Sequence, residues 1–248
     1  MSSKTSALVM GVGPEEGLGS SLCKRFAKED MTVFVCGRTL KKVENLCTII
    51  NDTSGNAIPI VADVTNVDDV INMMKVISKS NLPLELAVYN AGNNRPESFL
   101  DVTPEVFVSM WQVLCFGGFL TSQAILRLMI EQQQMTSKQS LFFTGASGSI
   151  RGKAGFSSFA SGKGGLRMLA QSIAREFGPK GIHVAHIIID GVIKGDKVVK
   201  GFSEYAKSLG EDGLLDLEAI ADNYWHLHQQ HKTAWTQEID LRPFKETF

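Results

Sequence analysis

Tyrosine is scarce in this chain, with three in 248 residues, at Tyr89, Tyr205 and Tyr224. Any chemistry that needs a phenol has few candidates. Cysteine is nearly as rare. Cys23, Cys36, Cys47 and Cys115 form no CxxC pair and no zinc spacing. That excludes a zinc ribbon, a thioredoxin-like centre and a disulfide framework. The four lie in apolar runs and read as buried free thiols. Net charge is also missing, since 25 Lys+Arg face 26 Asp+Glu for a formal balance of −1. A general nucleic-acid binder carries a basic surface, so that class drops out. No Pro/Gly/Ser-rich linker or composition break divides the chain, which points to one domain over 1–248. The opening Met-Ser-Ser-Lys-Thr-Ser shows no leader pattern, and no apolar stretch reads as long enough to span a membrane. A cytoplasmic location with no membrane partner is the expectation.

What is present is an alternation. Short apolar runs such as Ala7–Met10, Thr32–Cys36, Ala57–Ala62, Leu84–Tyr89, Ser140–Thr144 and His183–Ile189 are separated by longer helix-like segments. That order marks an α/β fold, a doubly wound parallel sheet with helices on both faces. Pro104 suits a first helical position, and a long helix is predicted from there toward Gln134. Glu238–Leu241 is predicted as a last edge strand. The stretch from Gly191 to Gly213 is irregular and polar.

The first turn reads Gly11-Val-Gly13-Pro-Glu-Glu-Gly17-Leu18-Gly19. It follows a buried run and opens a helix, the context in which glycines let a backbone approach a pyrophosphate while free helix N–H groups face the anion. Gly11, Gly13, Gly17, Leu18 and Gly19 are therefore candidate cofactor contacts. The turn is about two residues longer than usual, and Glu15 and Glu16 within it are expected to face solvent. The second strand ends in Cys36-Gly37-Arg38 rather than in an acid. Arg38 either grips a 2′-phosphate with its planar donors or is a solvated charge. Weighed against the acidic Glu16, this favours NADP over NAD.

Asp63-Val64 follows the third strand, Asn90-Ala91-Gly92 the fourth, and Gly155-Phe-Ser-Ser-Phe-Ala-Ser-Gly-Lys163 lies further on. In this order and spacing the marks resemble the short-chain dehydrogenase/reductase family over nearly the whole chain. The resemblance implies a Rossmann-type fold with a nicotinamide cofactor, NADP or NAD. Asp63 and Val64 would contact adenine, and Asn90, Ala91 and Gly92 would wall the cofactor site. Lys163 would hold the nicotinamide ribose. Ile193 would touch the carboxamide, within a substrate lid of about 191–215. It also implies a homodimer or homotetramer built on the long central helix and the helix that carries Lys163.

The departures from the family are as informative. The residue four before Lys163 should be the proton-moving tyrosine and is Phe159. In the register of some enoyl reductases it would be seven before, and that residue is Phe156. The family serine falls on Ala146, with Ser147 beside it, and Val113–Phe116 supplies no asparagine. Ser147, as a carbonyl-polarising hydroxyl, and Asp190, as a carboxyl with a raised pKa, are the candidate replacements. Lys194, Lys197 and Lys200 either welcome an acidic substrate or are simply solvated. His226, His228 and His231 read as a surface cluster and His183 and His186 as structural residues, so no metal site is expected. Trp225 and Trp235 are read as part of an interface. Two functions stay open. One is an oxidoreductase with an altered acid, acting on a small carbonyl, alcohol or enone. The other is a silent cofactor-binding sensor or partner subunit.

Overall fold

The computed structural model describes residues 5–246; Met1–Lys4, the start of the stretch inspected for a leader, lies outside them. Seven strands form one parallel sheet in the order β3-β2-β1-β4-β5-β6-β7. They are β1 (Ser6–Met10), β2 (Thr32–Gly37), β3 (Asn56–Val61), β4 (Leu84–Tyr89), β5 (Gln139–Thr144), β6 (Ile182–Ile189) and β7 (Glu238–Leu241). Every residue of β1, β2, β5 and β6 is buried. Strands covered on both faces lose the polar alternation of a half-exposed sheet, and this is why they read as continuous apolar runs. The doubly wound α/β expectation is met.

Helices α1 (Leu18–Ala27), α2 (Leu40–Asp52) and α9 (Leu217–Gln229) pack on one face around Leu22, Phe26, Val43, Leu46 and Tyr224. Helices α3 (Val67–Lys79), α4 (Pro104–Trp111), α5 (Gly117–Glu131) and α6 (Ser157–Phe177) lie on the other, and α3, α5 and α6 supply Met73, Ile77, Ile125, Met129 and Leu166 to a second core. Local chemistry sets the starts. Asn66, Thr103 and Asp216 each accept a hydrogen bond from a first-turn backbone N–H of α3, α4 and α9, and Pro104 follows Thr103 as expected. The predicted irregular stretch after β6 holds two short helices, α7 (Asp196–Gly201) and α8 (Ser203–Ser208).

Helices α4 and α5 run on through a π-helical turn, Gln112–Phe116. The continuous segment Pro104–Glu131 is long and apolar enough, by length and composition, to cross a membrane, contrary to the sequence expectation. Its inner side is part of the second core through Ile125, Leu126, Leu128 and Met129.

Because β1 lies between β2 and β4, the chain winds outward in both directions from the β1/β4 boundary. In this class of fold the ligand crevice lies at the carboxyl ends of the strands beside that boundary.

Candidate active site and cofactor crevice

The glycine-rich turn begins directly at the end of β1. Gly11 has φ +89°, and a Cβ on it would lie 2.4 Å from the Ala91 nitrogen. Only glycine satisfies both conditions. Asn90 donates through Nδ2 to the Gly11 carbonyl at 3.2 Å, so the turn after β4 is stitched to the turn after β1. A Cβ on Gly19 would come within 3.0 Å of that same Gly11 carbonyl. Gly13 differs, since a Cβ there would meet nothing within 4 Å. Some of these glycines thus serve packing, whereas Gly13 borders open space.

Gly17 caps α1 without any side-chain hydrogen bond, and the first turn carries no acid. The free N–H groups and the positive end of the helix dipole therefore face the crevice. Glu15 and Glu16 are exposed, as expected, and Glu16 pairs with Lys24 at 3.6 Å, away from the turn. These observations fit a pyrophosphate. Further along the sheet edge, Arg38 is 72% exposed and 4.0 Å from Asp63. Burial alone would raise the Asp63 pKa. Hydrogen bonds from the Thr65 hydroxyl and backbone, with the Arg38 charge, outweigh it and hold that carboxyl below its ordinary value.

At the other end of the crevice, Lys163 is 5% exposed and donates through Nζ to the Thr144 carbonyl at 2.6 Å. Burial lowers its pKa to about 8. A Cβ on Gly92 would sit 3.6 Å from that ammonium, so Lys163 and the Asn90-Ala91-Gly92 turn come together. Val64 meets the other side of the central helix, where a Cβ on Gly117 would lie 3.1 Å from its side chain.

Ser147 opens a 3-10 turn, Ser147–Ser149, after β5. The Phe159 ring lies over that turn; a Cβ on Gly148 would be 2.9 Å from it. Phe156 meets Phe159 edge-on at 6.4 Å. Two aromatic rings thus occupy the positions where either register would put a phenol. The three tyrosines supply no substitute. Tyr89 is fully buried and donates to the Val113 carbonyl at 2.5 Å, bonding an oxygen within the π turn. Tyr224 is buried against the Thr144 hydroxyl at 2.8 Å, and Tyr205 is exposed on α8.

Asp190 is 2% exposed, and both of its oxygens accept from Arg151 at 3.0 Å, while Arg242 approaches at 3.1 Å. It is shared by two guanidiniums, a setting that the sequence reading of it as a candidate acid did not include. Sequence reasoning missed both arginines because Arg151 lies 39 residues from its partner and carries no motif. It also missed a second, half-buried network, in which Arg167 grips Glu238 with two bonds of 2.7 Å and Glu238 meets His186 Nδ1 at 2.9 Å. Burial pushes the His186 pKa down to about 4.

The segment 191–215, the expected lid, is bonded to the turn after β1 and to the stretch after β4. Ile193 pairs with Leu215 in an isolated bridge, which fixes the start of the segment. The Asp196 N–H donates to the Glu16 carbonyl at 2.8 Å on one bank. Lys197 donates to Asn93 and Asn94 on the other. Lys200 pairs with Asp196 at 2.6 Å. Two of the three lid lysines thus hold the lid itself.

One other expectation changes. His228 is buried and hydrogen-bonded to the Ser140 hydroxyl at 2.9 Å, so it belongs to the core rather than to a surface cluster. Trp225 packs on Phe26 and Arg25, Trp235 stacks on His183, and both rings are half-buried. Among the described residues no group of His, Cys, Asp and Glu is placed to hold a metal ion.

Comparison with known proteins agrees with this geometry. Residues 6–203 match the model of the short chain dehydrogenase family. The crystal structure of a short-chain dehydrogenase from Rhodopseudomonas palustris is similar at 35% identity and a TM-score of 0.81, with 97% of this chain and 99% of that one covered. A 3-oxoacyl-(acyl-carrier-protein) reductase of Bos taurus is 27% identical over 184 residues, 74% of each chain. An uncharacterized oxidoreductase of Bacillus subtilis, YuxG, is 28% identical over 199 residues, 79% of this chain but only 28% of that longer protein.

Proposed function

The chain belongs to the short-chain dehydrogenase family, and from that premise we propose that it is an NADP(H)-dependent oxidoreductase whose reaction end has been rebuilt without the phenol. The observation that carries this reading is Lys163, which is buried at the crevice beside Gly92 although its usual partners are absent. A buried ammonium is costly, and a protein that only folds around this sheet has no need of it.

When bound, the coenzyme supplies the hydride. The chain's own residues do the rest. Gly13, Gly17, Leu18 and the start of α1 receive the pyrophosphate, Asp63 and Val64 border the adenine, and Arg38 meets a 2′-phosphate. Asn90, Ala91 and Gly92 wall the middle, and Lys163 donates to the nicotinamide ribose. Ile193 presents its backbone to the carboxamide as the lid closes. Ser147 is the remaining hydroxyl in place to polarise a substrate oxygen. Serine is a weak acid, so the proton comes from solvent or is not needed at the oxygen, as in reduction of an enone at carbon. The substrate is a small carbonyl compound, alcohol or enone.

The assembly follows from α4. None of its residues is buried, and Phe107, Val108 and Trp111 are exposed along it beside α6, where Met168 is exposed as well. A homodimer or homotetramer that covers this face is part of the proposal, and a monomer at micromolar concentration in sedimentation would contradict it.

The test is a panel of ketones, aldehydes and enones with NADPH, run on wild type and on Lys163→Ala. Turnover in wild type that disappears in Lys163→Ala is the expected result. Tight NADPH binding with no turnover on any class would instead favour a sensor or partner subunit. Absence of coenzyme binding would end both readings.

A further inference from the structure

Asp190 and its arginines form a ladder of alternating charge along the carboxyl edge of β5, β6 and β7. Its members are Arg151, Asp190, Arg242 and Asp240, in contact in that order. The acidic end, Asp240, belongs to the edge strand β7. The basic end, Arg151, lies two residues beyond the turn that carries Ser147 and supports the Phe159 ring. Arg151 is 41% exposed and commits one nitrogen to Asp190. Its Nε and Nη1 have no partner among the described residues. A buried counter-ion therefore fixes a guanidinium in place, and most of its donors remain open beside the reaction end. Arginine so oriented matches a planar anion.

We propose that Arg151 anchors a carboxylate of the substrate, so that the compound reduced or oxidised here is an oxo acid, hydroxy acid or unsaturated acid rather than a neutral ketone. This deepens the functional reading above and rests on its placing of the nicotinamide ribose at Lys163. The role is one of substrate positioning. Arginine does not release a proton at neutral pH.

The test compares molecules that differ by one charge. Levulinate and its methyl ester, and phenylglyoxylate and its methyl ester, are titrated calorimetrically into NADPH-loaded wild type, Arg151→Gln and Arg151→Lys, with inorganic phosphate as a further probe. Each acid is expected to bind wild type about ten- to a hundredfold more tightly than its ester. That preference should vanish in Arg151→Gln and survive in part in Arg151→Lys, with NADPH affinity unchanged and the thermal midpoint of Arg151→Gln lowered, because Asp190 then keeps only Arg242. Equal binding of acid and ester to wild type overturns the proposal without recourse to any variant. A preference that persists in Arg151→Gln also overturns it, as does phosphate binding more tightly than either acid. If wild type binds no NADPH, the functional reading fails, and the same acid–ester pairs titrated into the coenzyme-free protein still decide the question of Arg151.

Discussion

The two ends of the crevice are built on different principles. At the β1–β4 end the backbone does the work. Gly11 is fixed by a positive φ and by the Ala91 nitrogen, and Gly37 by the Val12 carbonyl, which a Cβ would approach to 2.4 Å. At the β5–β6 end side chains line the edge. Phe159 stands at the position where the family resemblance implies a phenol, Asp190 is tied to two arginines, and Lys163 is buried against the Thr144 carbonyl. Backbone-defined sites tolerate almost no substitution, whereas a side-chain site can be refitted on an unchanged scaffold. On the proposed function the first would be the nucleotide end and the second the reaction end.

The largest effect that would sharpen this contrast comes from Phe159→Tyr. A positioned general acid contributes about 10²–10⁴ in rate, roughly 3–5 kcal/mol. If the reaction end is merely a family site stripped of its acid, steady-state turnover with NADPH should rise by that factor. If turnover stays flat or falls, the end has been rebuilt for chemistry that needs no phenol. Either result is read against unchanged NADPH affinity, because Phe159 packs over Gly148 and not over the glycine-rich turn.

Next comes a pair of glycine variants at the nucleotide end. Gly11→Ala forces a side chain into a positive φ and against the Ala91 backbone. Urea unfolding should show a loss of about 2–5 kcal/mol. Gly13→Ala enters open space. Its stability should stay within about 0.5 kcal/mol, while NADPH affinity drops about tenfold or more if the pyrophosphate lies there. Equal stability loss in the two variants would break the claim that these glycines have separate jobs.

Lys163 links the two ends through pH. Its folded pKa is about 8, lowered by burial from 10.5. Between those values the unfolded chain holds a proton that the folded chain does not, so the coenzyme-free protein should gain stability as pH rises through this window. Below pH 8 both states are protonated and the cost of the buried charge is present in full. The gain is roughly 3 kcal/mol for one group. Denaturant midpoints of wild type compared with Lys163→Met isolate it, because the variant lacks this slope while other high-pH titrations are shared.

The same division explains what could be read from the sequence. Strands covered on both faces announce themselves as apolar runs, and every predicted strand was found within a residue or so of its place. Glycine spacing, Asn90-Ala91-Gly92 and Lys163 are local signals, and the structure brings Gly11, Asn90, Ala91 and Gly92 together. The surroundings of Asp190 and His228 escaped the sequence for one reason. Each looked free in one dimension but meets a partner far along the chain, Arg151 at 39 residues and Ser140 at 88. The lid's grip on Glu16 was hidden likewise, because it runs through backbone atoms that composition does not show. The apolar length of Pro104–Glu131 was overlooked, because the helix predicted there was not read as one continuous apolar span.

The smallest predicted effect lies at the far end of the nucleotide half. Arg38 is largely exposed, and its 4.0 Å approach to Asp63 is a surface pair worth little. Removing it should leave stability unchanged within about 0.5 kcal/mol. A 2′-phosphate would pair with that guanidinium, so Arg38→Ala should weaken NADPH binding about tenfold, or roughly 1.4 kcal/mol. NADH affinity should not move, because its ribose hydroxyl offers no such charge. Tighter binding of NADH than NADPH by wild type would reverse the coenzyme assignment. Glu16 would then count as the feature that repels the phosphate, although its side chain turns toward Lys24. Glu16→Gln separates the two cases. If its carboxylate is already neutralised by Lys24, the NADPH-to-NADH ratio stays put, and if it is not, that ratio rises.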